Sequence, residues 1–89
     1  MRILLVEDDD MIGESVMAGL ETEGHAIDWV RDGNSALLAL NTTPYSLVIL
    51  DLGLPGKDGL QVLKEMRGRR DPTPVLVAPA RATDDARNK

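Results

Sequence analysis

The chain has 89 residues, room for one small domain. Fifteen acidic residues against ten basic ones give a net charge of −5. That disfavours nonspecific nucleic-acid binding, which depends on Lys and Arg neutralising phosphates. With no Cys there is no disulfide framework and no thiolate metal site, and with no Phe, one Trp and one Tyr the core has to be aliphatic.

The amino terminus reads as a strand over residues 2–7, built on Ile3-Leu4-Leu5-Val6. This run is too short for a signal-peptide core, and acids follow it directly. No stretch approaches a membrane span, and the composition fits a cytoplasmic protein. Residues 11–23 read as a helix, with Ile12, Val16 and Leu20 at spacing four and Met17 beside them. Asp9 or Asp10 can cap its start and Gly24 can stop it. His25 to Val30 form a second strand, and Asp28 in its middle predicts an edge position. Asp32-Gly33 is a turn. Asn34 or Ser35 then caps a helix through Leu40, with Ala36, Leu37 and Leu40 on one face, ended by Thr42-Thr43-Pro44. Tyr45 to Leu50 is the third strand. After a loop, Asp58 caps a helix to about Arg69, with Leu60, Leu63 and Met66 or Arg67 inward. Asp71-Pro72-Thr73-Pro74 breaks it, and Val75-Leu76-Val77-Ala78 is a fourth strand. Residues 79–89 carry no large apolar side chain and are expected to be a frayed or disordered tail.

The strands are short, apolar and not alternating, as in a parallel sheet buried on both faces. Their alternation with helices predicts a three-layer α/β fold. With sheet order 2-1-3-4, the first helix covers one face and the next two the other. The winding then reverses between strands 1 and 3, and ligands bind outside the carboxyl ends of strands at such a point. The first strand ends there on Glu7-Asp8-Asp9-Asp10, and the third on Asp51. Carboxylates gathered at one edge repel each other, and a hard divalent cation such as Mg²⁺ relieves this. With its charge masked, Asp51 could attack a phosphoryl group. On the plainer reading, Glu7 to Asp10 cap a helix and Asp51 opens a turn.

Ile3-Leu4-Leu5-Val6-Glu7-Asp8-Asp9, followed by Asp51-Leu52-Gly53-Leu54-Pro55-Gly56 and Asp58-Gly59, resembles the receiver domain of bacterial response regulators. The likeness is strongest to receivers that precede a winged-helix DNA-binding domain, and it runs from residue 1 to about Ala78. The resemblance implies a flavodoxin-like fold and phosphorylation of Asp51 by a sensor histidine kinase. It implies Glu7, Asp8 and Asp51 around Mg²⁺, with Gly53 lending its backbone carbonyl. It implies a phosphoacceptor in a two-component pathway rather than an enzyme, in a parent protein that regulates transcription.

There are departures from the family pattern. The strand-4 Thr or Ser whose hydroxyl contacts the phosphoryl group aligns with Pro79, which has neither hydroxyl nor N–H. The family's strand 5, with its Lys and aromatic switch residue, and helices 4 and 5 have no counterpart in these residues. Residues 1–78 therefore read as a partial receiver, and a truncation, frame disruption or engineered fragment is expected, with an impaired switch. An uncharged strand 4 edge and an uncovered sheet face predict self-association, with Leu4, Val6, Val48, Leu50 and Val77 assigned to the face shared with the first helix.

Other residues carry weaker signals. Lys57, in the loop, could stand in for the family's Lys or be a solvated residue. His25 reads as structural, and Trp29 as covering a helix. Arg67, Arg69 and Arg70 suit a helix carboxyl end. Two further functions remain open. One is a phosphorylation-inert binding or self-assembling module. The other is a metal-dependent phosphohydrolase, disfavoured because such enzymes often carry a second aspartate two positions after the first, and here that position is Gly53.

Overall fold

A computed structural model describes residues 1–54 and 57–77. The expectations for Pro55, Gly56, Ala78, Pro79 and the 79–89 segment lie outside the described residues. The elements run β1 (Arg2–Val6), α1 (Asp10–Thr22), β2 (Ala26–Val30), α2 (Gly33–Thr42), β3 (Leu47–Leu50), α3 (Gly59–Gly68) and β4 (Val75–Val77). The four strands are parallel, in the order β2-β1-β3-β4. This is the three-layer, flavodoxin-like arrangement, with three helices and four strands among the described residues.

Each helix starts on an aspartate whose side chain accepts an orphan backbone N–H. Asp9 caps α1 through Ile12, Asp32 caps α2 through Ser35, and Asp58 caps α3 through Gln61. The α2 cap is thus Asp32, not Asn34 or Ser35, because its carboxylate holds both the Ser35 amide and the Ser35 hydroxyl. After α1, Gly24 adopts φ 86°, a left-handed conformation suited to a residue without Cβ.

The main core lies between the sheet and α2 plus α3. Leu4, Val6, Val48 and Leu50 pack there with Ala36, Leu54, Val62 and Met66. Two expectations are corrected by this. In α3 the buried positions are Gly59, Val62 and Met66, while Leu60 and Arg67 are exposed. The helix is rotated because Gly59 lies against the Asp51 carbonyl and the Leu52 backbone, where a Cβ would not fit. The other correction concerns sheet faces. Leu4, Val6, Val48 and Leu50 are fully buried under α2 and α3 rather than left open beside α1. The α1 face carries Ile3 and Leu5, both buried, and Trp29, which lies against Gly13 of α1. Ile49 and Leu76, partners across β3 and β4, are half-buried and 57% exposed.

β2 is an edge strand, as Asp28 predicts. Asp28 accepts from Nε and Nη2 of Arg2, each at 3.2 Å, and from the Tyr45 hydroxyl at 2.7 Å.

Candidate functional site

The register of β1 and β3 builds the site. Val6 stands opposite Leu50, so the next residue of each strand, Glu7 and Asp51, leaves the sheet at the same level. Hydrogen bonds carry the pairing past the strand ends. The Asp51 amide donates to the Val6 carbonyl and the Glu7 amide to the Val30 carbonyl, each at 3.0 Å. Asp8 follows at the start of the turn into α1. Carboxylate oxygens of Glu7, Asp8 and Asp51 come within 4.8 Å of one another. Glu7 and Asp51 are buried and Asp8 is half-buried.

Backbone amides orient these side chains. The Asp9 N–H donates to Glu7 Oε2 at 3.0 Å, and the Gly53 N–H donates to Asp51 Oδ1 at 2.9 Å. The turn after Asp51 is closed by the Gly59 amide donating to the Leu52 carbonyl. Gly33, at the start of α2, supports the same loop from the other side. A Cβ there would overlap the Lys57 carbonyl. Burial raises the Glu7 pKa from 4.5 to about 7, and the Asp51 and Asp8 carboxylates push the same way, against the Asp9 amide. The Glu7 carboxyl also hydrogen-bonds Asp51. Without a cation, burial therefore favours the protonated form of Glu7.

The three acids singled out from the sequence are thus brought together, and Gly53 is placed against Asp51. The other sequence candidates fall elsewhere. Lys57 Nζ pairs with Glu65 of α3 at 2.6 Å, which engages it away from the role of a substitute lysine. His25 precedes β2, at the end of the sheet opposite the acids. Arg67 Nη1 donates to the carbonyls of Asp71 and Thr73 and ties down the end of α3.

One contact was not foreseen. The Trp29 indole N–H donates to the Glu7 carbonyl at 2.8 Å. The available signal was Gly13, a glycine inside a helix, where it costs stability unless something must approach closely.

Comparison with known proteins agrees with this geometry. The model of the response regulator receiver domain family matches residues 3–89. Transcriptional regulatory protein QseB of Haemophilus influenzae is 48% identical over 89 residues, all of this chain and 40% of that protein. The Francisella response regulator 1452 receiver domain superposes with a TM-score of 0.83 at 30% identity, covering 85% of this chain and 63% of that one. A response regulator, TrrA, solved in complex with the histidine kinase ThkA, gives a TM-score of 0.79 at 37% identity, covering 85% of this chain and 66% of the matched one. The chain spans about two fifths of the length of QseB and similar curated relatives.

Proposed function

Because this chain belongs to the response regulator receiver domain family, we propose that it is a phosphoacceptor in two-component signalling, with Asp51 taking the phosphoryl group from a sensor histidine kinase. The observation that carries the reading is the Val6–Leu50 register, which sets Asp51 beside Glu7 and Asp8 at the switch point of the sheet. The plainer reading of these acids as helix cap and turn accounts for Asp9, which does cap α1. It does not account for two buried carboxyls side by side.

The donor set fits a hard divalent cation. It consists of carboxylate oxygens, two of the three side chains are buried, and one is driven toward protonation by burial and by the carboxylates beside it. Glu7, Asp8 and Asp51, with the backbone carbonyl of Gly53, would hold Mg²⁺. Once bound, the ion supplies positive charge that lets a phosphoryl group approach this acidic corner. The Gly53 amide fixes the Asp51 carboxylate. An Asp51 oxygen forms the bond to phosphorus, the phosphorus–nitrogen bond to the donor histidine breaks, and the imidazole leaves and takes up a proton from water. In this reading the chain is a switch that accepts one phosphoryl group. By likeness to QseB and to the TrrA–ThkA pair, its partner is a histidine kinase and the parent protein regulates transcription.

Incubation with Mg²⁺ and a small phosphodonor, read by intact mass, tests the proposal. The parent chain gains one phosphoryl group, and Asp51→Asn or removal of Mg²⁺ abolishes the gain. A parent chain that gains no mass under these conditions refutes it in favour of a phosphorylation-inert module.

A further inference from the structure

Both backbone groups of Glu7 are committed to β2. Its amide donates to the Val30 carbonyl, and its carbonyl accepts the Trp29 indole N–H at 2.8 Å. The indole is itself fixed on two sides. Its ring fills the space over Gly13 of α1, where any side chain would overlap it. The Arg31 guanidinium lies over the same ring, 4.2 Å from its centroid, and pairs with Asp10 in the first turn of α1. The acidic turn from Glu7 to Asp10 is therefore gripped at one end by the indole N–H and at the other by the arginine stacked on that indole.

A phenylalanine ring would fill part of the same space, though not the part over Gly13 that the six-membered ring of the indole occupies. The N–H aimed at a carbonyl, at a distance normal for a good hydrogen bond, is what phenylalanine lacks. That carbonyl belongs to the residue whose carboxylate meets Asp51 and Asp8. Partners that hold a metal ligand from behind tune its affinity, because they fix where the ligand oxygens sit before the ion arrives.

We propose that Trp29 is a positioning residue for the cation site: its indole N–H sets the Glu7 peptide, and occupancy of the site is transmitted back to the indole. The proposal rests on the reading of Glu7, Asp8 and Asp51 as holders of a divalent cation.

The chain has a single tryptophan, so its indole N–H gives one unambiguous ¹⁵N–¹H resonance. Titration of the cation-free chain with magnesium chloride should move the amides of Asp9 and Gly53 and the Trp29 indole together, with one shared Kd. Trp29→Phe should raise that Kd about tenfold, the lower end of the cost of losing an outer partner of a metal ligand. Tyr45→Phe serves as the control, since it removes a hydrogen bond of similar kind, to Asp28, away from the acids. It should keep the parental Kd. An indole resonance that stays still while Asp9 and Gly53 shift overturns the proposal, and this arm needs no variant to fold. An unchanged Kd in Trp29→Phe, or an equal weakening in Tyr45→Phe, overturns it as well. If no amide near Glu7, Asp8 or Asp51 responds to magnesium in the parent chain, the cation reading itself fails and takes the proposal with it.

Discussion

Glu7 makes the cation-free protein less stable as the pH rises, and the size of the effect follows from its surroundings. The residue is 1% exposed, and burial with the neighbouring carboxylates raises its pKa from 4.5 to about 7. The folded chain then binds this proton more tightly than the unfolded chain. The resulting stabilisation is complete below the unfolded pKa and is lost as the pH passes through about 7. A shift from 4.5 to about 7, at roughly 1.4 kcal/mol per unit, corresponds to about 3–4 kcal/mol. That is a large share of the 5–15 kcal/mol typical of a whole domain, roughly speaking. Asp32 and Asp71 have lowered pKa values from hydrogen bonds to Ser35 and Thr73. Their contributions are lost only in acid, outside this window. Urea unfolding at pH 5 and pH 8 in chelator, followed by far-ultraviolet circular dichroism, reads the difference. The parent should be less stable at pH 8. Glu7→Gln should flatten most of the dependence, since its amide can donate to Asp51 and accept from Asp9 as the protonated acid does. Saturating Mg²⁺ should restore the parent at pH 8 by mass action. Equal pH dependence in parent and Glu7→Gln would refute the reasoning.

Arg70 closes α3 at φ 61°, a left-handed conformation that costs a residue with a Cβ. Arg70→Gly should therefore stabilise the chain by about 0.5–1 kcal/mol in urea unfolding. Met66 is fully buried between α3 and the sheet, and Met66→Ala should cost about 2–5 kcal/mol by the same assay. Asp51→Ala should weaken Mg²⁺ binding, and calorimetry that finds parental affinity would remove Asp51 from the site. The chain should self-associate at micromolar concentration through β4 and the sheet face around Ile49 and Leu76. Leu76 on that face is 57% exposed and Val77, its neighbour in β4 on the opposite face, 42%, and covering a few hundred Å² at about 25 cal/mol per Å² is worth several kcal/mol. Sedimentation equilibrium checks this, and a stable monomer would contradict it.

Strand positions and order were legible in the sequence because three of the strands are short apolar runs and helical patterns separate each strand from the next. That order brings the Glu7 to Asp10 run to Asp51, and the choice of Glu7 and Asp8 from the run rested on the resemblance to receiver domains. Sheet faces were not legible. In Ile3-Leu4-Leu5-Val6 every residue is apolar and buried, so alternation gives no phase, and only the helices that pack on each side decide it. The phase of α3 was hidden for a related reason. Leu60 and Leu63 offer one apolar stripe and Val62 and Met66 another, and the close approach of Gly59 to the Asp51 backbone selects the second. The α2 cap was misplaced because Asp32, Asn34 and Ser35 are all competent caps, and the choice falls to whichever carboxylate or amide reaches a free N–H. The hold of Trp29 on Glu7 joins residues 22 positions apart, and Gly13 signals a close approach to α1 without saying which side chain makes it.

The central claim is that Asp51 is the acceptor, and mapping the modified residue tests it most directly. After incubation with Mg²⁺ and a phosphodonor, borohydride reduction converts an aspartyl phosphate to homoserine, which peptide mass spectrometry locates in the chain. The account predicts homoserine at position 51 and nowhere else, formed only when Mg²⁺ is present. Homoserine at Asp8, Asp9 or another carboxylate, or at position 51 to the same extent in chelator, would contradict it.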